Sequence, residues 1–370
     1  MQSDKSLCLK FRPTQLEHVI GQNHVTATLR KASETGLFSQ AYLFSGNHGC
    51  GKTSTARILA NLMTCDNVVD GNTCGKCTSC KTVPNRTAMD VIESDGASKR
   101  GIDDIKMLKE GARWSPTILS KKIYIIDEVH QLSKEGISSL LKITEEPPEH
   151  VAFILCTTEI NKILDTILSR CQKFNFRKIY SKDIAKHLLA IAQKENIKIE
   201  PEAVYALAKM SRGSMRDAIG YLEQIATLAN DKEIKAMHIQ KYFGVSDRLG
   251  VINIVKAMVA GNIALLMDQV NDLIMASVDS QGILLEVSNV LRNVMLLGIS
   301  GLNKDILDLP DYEVAEMEKI RQLVDHNRML KLAGIFSKIE REIKININDR
   351  WIMEATLINC SNFINKDKEE

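Results

Sequence analysis

The stretch "AYLFSGNHGCGKTSTARILANLM", residues 41–63, constrains the fold of this chain more than any other. A run of strand-forming apolar residues (41–45) meets a loop with glycines at 46, 49 and 51, and a helical pattern opens at Lys52. The pattern G-x-x-x-x-G-K-[ST] in a strand–loop–helix setting predicts a βα unit whose loop backbone aims successive N–H groups at one point. The helix N-terminus adds partial positive charge there, and phosphate is the ligand that fits. Gly46, Asn47, His48, Gly49, Cys50, Gly51 and Ser54 form the expected cradle. Lys52 is expected to reach the outer phosphates, and the Thr53 hydroxyl to ligate Mg²⁺. Cys50 stands where a small apolar residue would serve, so its thiol chemistry is expected to make the site thiol-sensitive.

Further short apolar runs follow at 89–94, 123–127, 151–158 and 173–176. Those at 123–127 and 151–158 are apolar almost throughout, as central strands of a parallel sheet covered on both faces must be. Between them Ile137, Leu140, Leu141 and Thr144 recur at helical spacing, and "EEPP" (145–148) stops the helix. The first 178 residues therefore read as an α/β domain built of βαβ units. Strand signals end there. Residues 179–243 read as a small all-helical domain and 244–370 as a second helical block, with a stripe at Val251, Ile254, Val255 and Met258.

"IYIIDEVHQL" (123–132) carries Asp127 and Glu128 at the C-terminal tip of a core strand, the edge where open α/β sheets bind ligands. Asp127 is expected to hold Mg²⁺ through water, and Glu128 to polarise an attacking water as general base. An Asp-Glu pair at a strand end is commonplace alone. About seventy residues after a phosphate cradle, it points to ATP hydrolysis. The next strand ends in Thr157 and Thr158: either hydroxyl reports the γ-phosphate or positions water, or both are simply β-formers.

Cys65, Cys74, Cys77 and Cys80 follow in the spacing C-x₈-C-x₂-C-x₂-C. Nine cysteines spread evenly over 370 residues would put only about 0.4 in such a window, so chance does not account for the cluster. Pairs two residues apart suit tetrahedral Zn²⁺, and four sulfurs make a closed, structural site; a redox C-x-x-C is the rival. The segment 65–80 falls after the cradle helix and before the second strand, with too few apolar residues for a core of its own, so a metal would stabilise it. Cys8, Cys156, Cys171 and Cys360 are scattered and expected to be inert.

Net charge is only +2, so any nucleic-acid contact must come from a local face. The first fifteen residues lack a signal-peptide apolar run, and no stretch reaches transmembrane length, which points to the cytoplasm and no membrane.

Three further motifs narrow the reading: "FRPTQLEHVIGQ" (11–22), "TILSRCQKF" (166–174) and "RGSMRDAIGYLEQ" (212–224). With the cradle and the acidic tip, they resemble the AAA+ clamp-loader ATPase family, in its order and spacing, over about residues 10–243. The cysteine cluster resembles the bacterial branch, the tau/gamma ATPases of the DNA polymerase III clamp loader. Eukaryotic-type subunits share "SRC" but lack the insertion. The resemblance implies an AAA+ P-loop NTPase domain (1–178) with a zinc-knuckle insertion at 65–80, a helical lid domain (179–243) and a helical collar domain (244–370) that oligomerises. It implies that Arg170 is an arginine finger inserted into a neighbouring subunit's site, and that Arg216 senses the γ-phosphate of its own. Phe11, Arg12, Pro13, Val19, Ile20, Gly21 and Gln22 resemble the segment that folds over adenine. The basic pair preceding that element is reduced to Leu9 and Lys10, which is expected to weaken the arm.

The implied activity is ATP-driven opening and loading of a sliding clamp onto primed DNA during replication. The implied cofactors are ATP with Mg²⁺ and structural Zn²⁺, and the partners other loader subunits, the clamp and primer-template DNA. DNA would be held by phosphate contacts. Ser98, Lys99, Arg100 and a helix near Gly101 either take part or are a solvated charge run. Two rivals stand: a nucleotide-gated replisome scaffold with negligible turnover, against which Glu128 and Arg170 count, and another AAA+ DNA remodeller, against which the cysteines and "SRC" count.

Overall fold

The computed structural model describes residues 6–96, 98, 108, 110–229, 233–243, 248–275, 278–299, 304–309, 311–343 and 349–365. The chain divides into two compact units: Met1–Ile197 with Leu207–Thr227, and Lys198–Ala206 with Leu228–Glu370.

In the first unit five parallel strands, β1 (Ala41–Gly46), β2 (Val91–Asp95), β3 (Lys122–Asp127), β4 (Val151–Thr157) and β5 (Gln172–Phe176), are ordered β2-β3-β4-β1-β5. The continuous apolar runs are explained by two covered faces. Tyr42, Phe44, Ile123, Ile125, Ala152, Ile154 and Phe174 join one core cluster. Ala41, Leu43, Tyr124, Ile126, Val151, Phe153 and Leu155, their neighbours in sequence, join the other. Strand periodicity thus buries consecutive residues of β1, β3 and β4 on alternate sides, while the outer strands β2 and β5 stay partly exposed.

Helices α1 (Leu7–Lys10), α2 (Asn23–Thr35), α3 (Lys52–Thr64), α4 (Thr78–Thr82), α5 (Lys134–Glu145), α6 (Asp165–Leu168) and α7 (Ser181–Lys194) follow the same chain order. Ser133 caps α5 by accepting from Gly136 N at 3.1 Å, and the helix ends at Glu145, just before Pro147 and Pro148. The second strand begins at Val91 rather than at 89, because the Asp90 carboxylate is committed to the backbone N–H groups of Thr117, Ile118 and Leu119.

The second unit is helical. Helix α8 (Pro201–Met210) and helix α9 (Met215–Ala229) each contribute residues to both units, and α10 (Ala236–Phe243) belongs wholly to the second. Its core centres on α11 (Arg248–Ala260), where Val251, Ile252, Ile254, Val255 and Met258 are fully buried. Around it lie α12 (Ile263–Met275), α13 (Ser280–Leu297), α14 (Asp311–Leu323), α15 (His326–Ile343) and α16 (Asp349–Asn365), contributing Leu266, Val287, Met317, Leu332 and Leu357. A helix with so wide an apolar face is one packed on several sides by others.

The segment 179–243 is divided between the units. Residues 198–206 and 228–243 go with the C-terminal helices: a parallel bridge joins Ile199 to Ile234, and Tyr205 donates to Asp308 O at 2.8 Å. Among the described residues no helix is long and apolar enough to cross a membrane.

Candidate functional site

β1 delivers the chain into the loop 46–51, and α3 leaves from it. Gly46, Gly49 and Gly51 hold φ of +144°, +69° and +104°, conformations that side chains with a Cβ rarely adopt. At Gly49 the constraint is also spatial: a Cβ there would stand 1.9 Å from Ser214 Oγ, and Met215 N donates to Gly49 O at 3.0 Å. The loop therefore packs directly on the start of α9.

Lys52 is 5% exposed, and its ammonium donates to Gly46 O and Asn47 O, each at 2.8 Å. The Thr53 hydroxyl donates to Asp127 Oδ2 at 2.7 Å, joining the first turn of α3 to the tip of β3. Glu128, next to Asp127, sits at φ +46°, a left-handed conformation uncommon for a residue with a side chain. Its Oε2 accepts from Thr158 Oγ1 at 2.9 Å.

These groups open into a cavity of about 390 Å³. Of the residues singled out in the sequence, Phe11, Arg12, Pro13, Val19, Ile20, His48, Gly49, Cys50, Gly51, Lys52, Thr53, Ser54, Asp127, Glu128 and Arg216 line it. Gly46, Asn47, Gln22, Thr157, Thr158 and Arg170 do not. Gln22 lies fully buried behind the wall, accepting from Arg177 N at 3.0 Å and donating to Arg177 O at 2.7 Å, so its amide ties the N-terminal segment to the end of β5. Thr157 is fully buried, and its Oγ1 accepts from Glu159 N at 3.0 Å. Arg170 is on the surface, paired with Glu145 at 3.0 Å and donating to Thr166 O at 2.7 Å.

One expectation is corrected. Cys50 is 1% exposed, its Sγ donates to Asn47 O at 2.8 Å, and burial pushes its pKa up against the weaker pull of the Lys52 ammonium. A buried, protonated thiol is not the reactive group the sequence led us to expect. The residues just before the arm make ties of their own. Lys10 pairs with Glu195 at 2.7 Å, and Glu223 on α9 accepts from Ser6 Oγ and Leu7 N at 2.9 and 3.0 Å.

His187, which no motif singled out, also lines the cavity, as do Cys8, expected only to be inert, and Met215, which the 212–224 motif contains without a role. Burial, with Lys194 and His18 nearby, pushes the His187 pKa down. His130 was missed as well: its Nδ1 lies 3.0 Å from Thr157 Oγ1 and 3.3 Å from Glu128 Oε2. The "DEVH" string was its only signal.

The four cluster cysteines converge. The Sγ–Sγ distances are 3.6 Å (Cys65–Cys80), 3.8 Å (Cys74–Cys80), 3.9 Å (Cys65–Cys77) and 3.4 Å (Cys77–Cys80). The edge of a tetrahedron of sulfurs around zinc is about 3.8 Å, so the donor set fits that ion. Lys76 N and Cys77 N both donate to Cys74 Sγ at 3.4 Å and pull its pKa to about 6, whereas burial pushes the Cys65 thiol up and that of Cys80 to about 12. Cys65 caps the C-terminus of α3, and Ser79 beside Cys80 is hydrogen-bonded to Asn61 and Thr64 of that helix at 2.9 and 2.5 Å. The knuckle therefore clamps one end of the helix whose other end carries Lys52.

Ser98 is exposed and donates to Asp95 O at 3.2 Å; Lys99, Arg100 and Gly101 lie outside the described residues.

Three sequence families match in succession. The DNA polymerase III delta subunit family covers residues 21–180. The ATPase lid domain of the DNA polymerase III clamp loader subunit covers 183–230. Domain III of the DNA polymerase III gamma and tau subunits covers 234–369. The chain is 33% identical over 359 residues to the DNA polymerase III subunit tau of Bacillus subtilis, covering 96% of this chain and 63% of that one. With the tau subunit of Escherichia coli, identity is 35% over 294 residues, covering 80% and 46%. With the gamma/tau subunit of Mycoplasma genitalium it is 40% over 254, covering 69% and 42%. The chain thus spans less than two thirds of the length of these relatives.

Among solved structures, the Thermotoga maritima RuvB Holliday junction branch migration motor gives a TM-score of 0.48 at 21% identity, over 67% of this chain and 79% of that one. The Bacillus subtilis DNA clamp loader delta protein gives 0.43 at 13%, over 91% and 99%. By its sequence relatives along nearly its whole length, the chain belongs to the tau/gamma clamp-loader family of DNA polymerase III.

Proposed function

We propose that this chain is the ATP-hydrolysing motor subunit of a DNA polymerase III clamp loader, which opens a sliding clamp and loads it onto primed DNA. The observation that carries the reading is the Thr53–Asp127 hydrogen bond of 2.7 Å, in a cavity that also holds Lys52, Glu128 and Arg216. A hydroxyl and a carboxylate so placed are hard oxygen donors of the kind Mg²⁺ takes beside a nucleotide. The ion would supply charge neutralisation at the phosphates.

The chain's own groups do the rest. Backbone N–H groups of loop 46–51 and the start of α3 bind phosphate oxygens, and Lys52 turns from its own carbonyls to the outer phosphates. Glu128 takes the proton of the attacking water. Arg216, on α9, senses the γ-phosphate and so links nucleotide to lid position. Arg12, Pro13, Val19 and Ile20 enclose the base. Arg170, half-exposed and absent from the lining of its own cavity, acts as finger in the site of the next subunit. The domain roles follow the same reading: ATPase 1–178, lid 179–243 and oligomerising collar 244–370. The partners are other loader subunits, the clamp and primer-template DNA held through phosphates, all in the bacterial cytoplasm. Zn²⁺ in the Cys65, Cys74, Cys77 and Cys80 site is structural.

The test is steady-state ATP hydrolysis by the reconstituted complex, with and without clamp and primed DNA, beside Arg170→Ala. Stimulation by clamp plus DNA that is lost in the variant supports the motor. Turnover indifferent to both returns the reading to a scaffold or another remodeller.

A further inference from the structure

β3 and β4 end side by side, and one side chain outside the cavity lining joins what they carry. The His130 ring is 6% exposed and stands between three groups. Its Nδ1 is 3.3 Å from Glu128 Oε2 and 3.0 Å from Thr157 Oγ1, while its Nε2 is 3.3 Å from Glu159 Oε1. Thr157 Oγ1 also accepts from Glu159 N at 3.0 Å, and Glu128 Oε2 accepts from Thr158 Oγ1 at 2.9 Å and from Thr158 N at 3.3 Å. Nδ1 makes its hydrogen bond with Thr157 Oγ1 on β4, and the same edge of the ring faces Glu128 Oε2, so a hydrogen on Nδ1 would lie between the carboxylate and the end of β4.

The Glu128 backbone is itself held left-handed, at φ +46°. Glu128 follows the last residue of β3, and the contacts of its carboxylate run to the end of β4 and the turn after it, through Thr158, and to the His130 ring. The ring sits at the centre of that link.

We propose that His130 is a positioning residue for ATP hydrolysis, fixing the Glu128 carboxylate to the end of β4 through Nδ1. The inference rests on the ATPase reading above. A general base must lie within hydrogen-bond reach of the proton it takes, so a carboxylate freed to swing loses turnover without losing nucleotide. Nucleotide is held instead by loop 46–51, Lys52 and the arm, whereas the hydrogen bond and ion pairs of His130 go to Thr157, Glu128 and Glu159.

The experiment compares wild type with His130→Ala, His130→Asn and His130→Gln in the reconstituted complex with clamp and primed DNA. It reads kcat, KM for ATP, the Kd of a fluorescent ATP analogue and the melting temperature. His130→Ala is expected to lower kcat about tenfold or more, with KM and Kd within about twofold. Asparagine places its amide nitrogen near the position of Nδ1, and is expected to restore kcat to within about threefold; glutamine reaches toward Nε2 and is not. A purely structural role would not separate the two amides.

A kcat for His130→Ala close to wild type overturns the proposal, as does equal rescue by both amides, or a joint loss of kcat and nucleotide affinity. Where the alanine variant melts early, the asparagine–glutamine comparison decides alone. Lys52→Ala separates the two levels of failure. If it turns over ATP as fast as wild type, the ATPase reading fails and this inference with it. If it is dead while His130→Ala is fully active, only this inference fails.

Discussion

The Thr53 hydroxyl donates to the Asp127 carboxylate at 2.7 Å across seventy-four residues of chain. That bond registers the first turn of α3 against the tip of β3, so the phosphate cradle and the acidic strand end share one geometry. Thr53→Ala removes the hydroxyl and leaves Asp127 Oδ2 without this donor. Turnover is expected to fall by roughly 10²-fold, the scale of losing one oriented group at a charge-bearing site. Thr53→Ser, which keeps the hydroxyl, is expected to recover most of it. Steady-state hydrolysis at saturating ATP and Mg²⁺ checks this, and equal activity of the alanine and serine variants would count against it.

Gly49→Ala tests the packing of the loop on α9. The new Cβ would meet Ser214 Oγ at 1.9 Å and Ser214 Cβ at 2.9 Å, at a φ of +69° that alanine avoids. Ser214 cannot simply rotate away, because its hydroxyl accepts from Asp217 N and its Cβ is also too close. The loop must open, and ATP-analogue affinity is expected to fall at least about tenfold, or roughly 1.4 kcal/mol. Gly36→Ala makes a control for handedness alone, since φ there is +69° and nothing lies within 4 Å.

What could be read in the sequence was whatever depends on short-range pattern. The runs 123–127 and 151–158 announced strands buried on both faces because both faces are covered. The loop 46–53 and the cysteine spacing carried their chemistry in consecutive residues. What could not be read depends on where distant segments meet. Gln22 is committed to Arg177, 155 residues away, and stands outside the cavity. His130 becomes part of a cluster only because β3 and β4 are neighbours. The bridge between Ile199 and Ile234 pairs residues that no local periodicity marks as partners.

The cysteine knuckle predicts a metal content and a mechanical effect. One Zn²⁺ per chain is expected by atomic absorption, lost in Cys77→Ser. Because Cys65 caps α3 and Ser79 bonds Asn61 and Thr64, loss of the metal should loosen the C-terminal turns of α3. The melting temperature is expected to fall by about 5 °C, the equivalent of roughly 2 kcal/mol for a unit of this size. Hydrogen exchange should quicken at 61–65 and leave β3 unchanged. Uniform quickening across the sheet would mean that the metal holds the whole unit rather than the helix end.

Asp90 predicts a pH dependence of stability. Its carboxylate belongs to a residue only 1% exposed, and accepts from Thr117 N, Ile118 N and Leu119 N at 2.7, 2.7 and 2.9 Å. Burial alone pushes its pKa up, but the three backbone donors, with Lys122 nearby, outweigh burial and hold it below the usual carboxylate range. Between that lowered value and the unfolded value of about 3.9, the unfolded chain binds more protons, so stability rises with pH across this window. The contribution is whole above about pH 4 and is lost as pH falls through the folded pKa. Asp90→Asn keeps one acceptor and sets an NH₂ group against backbone donors, an expected cost of about 1–3 kcal/mol at pH 7. Urea unfolding of both proteins at pH 7 and near pH 3 checks the sign: the gap should be full at pH 7 and narrower at the acid end, because wild type alone loses this carboxylate. A gap that stays constant would mean that shape rather than charge holds the 117–119 turn.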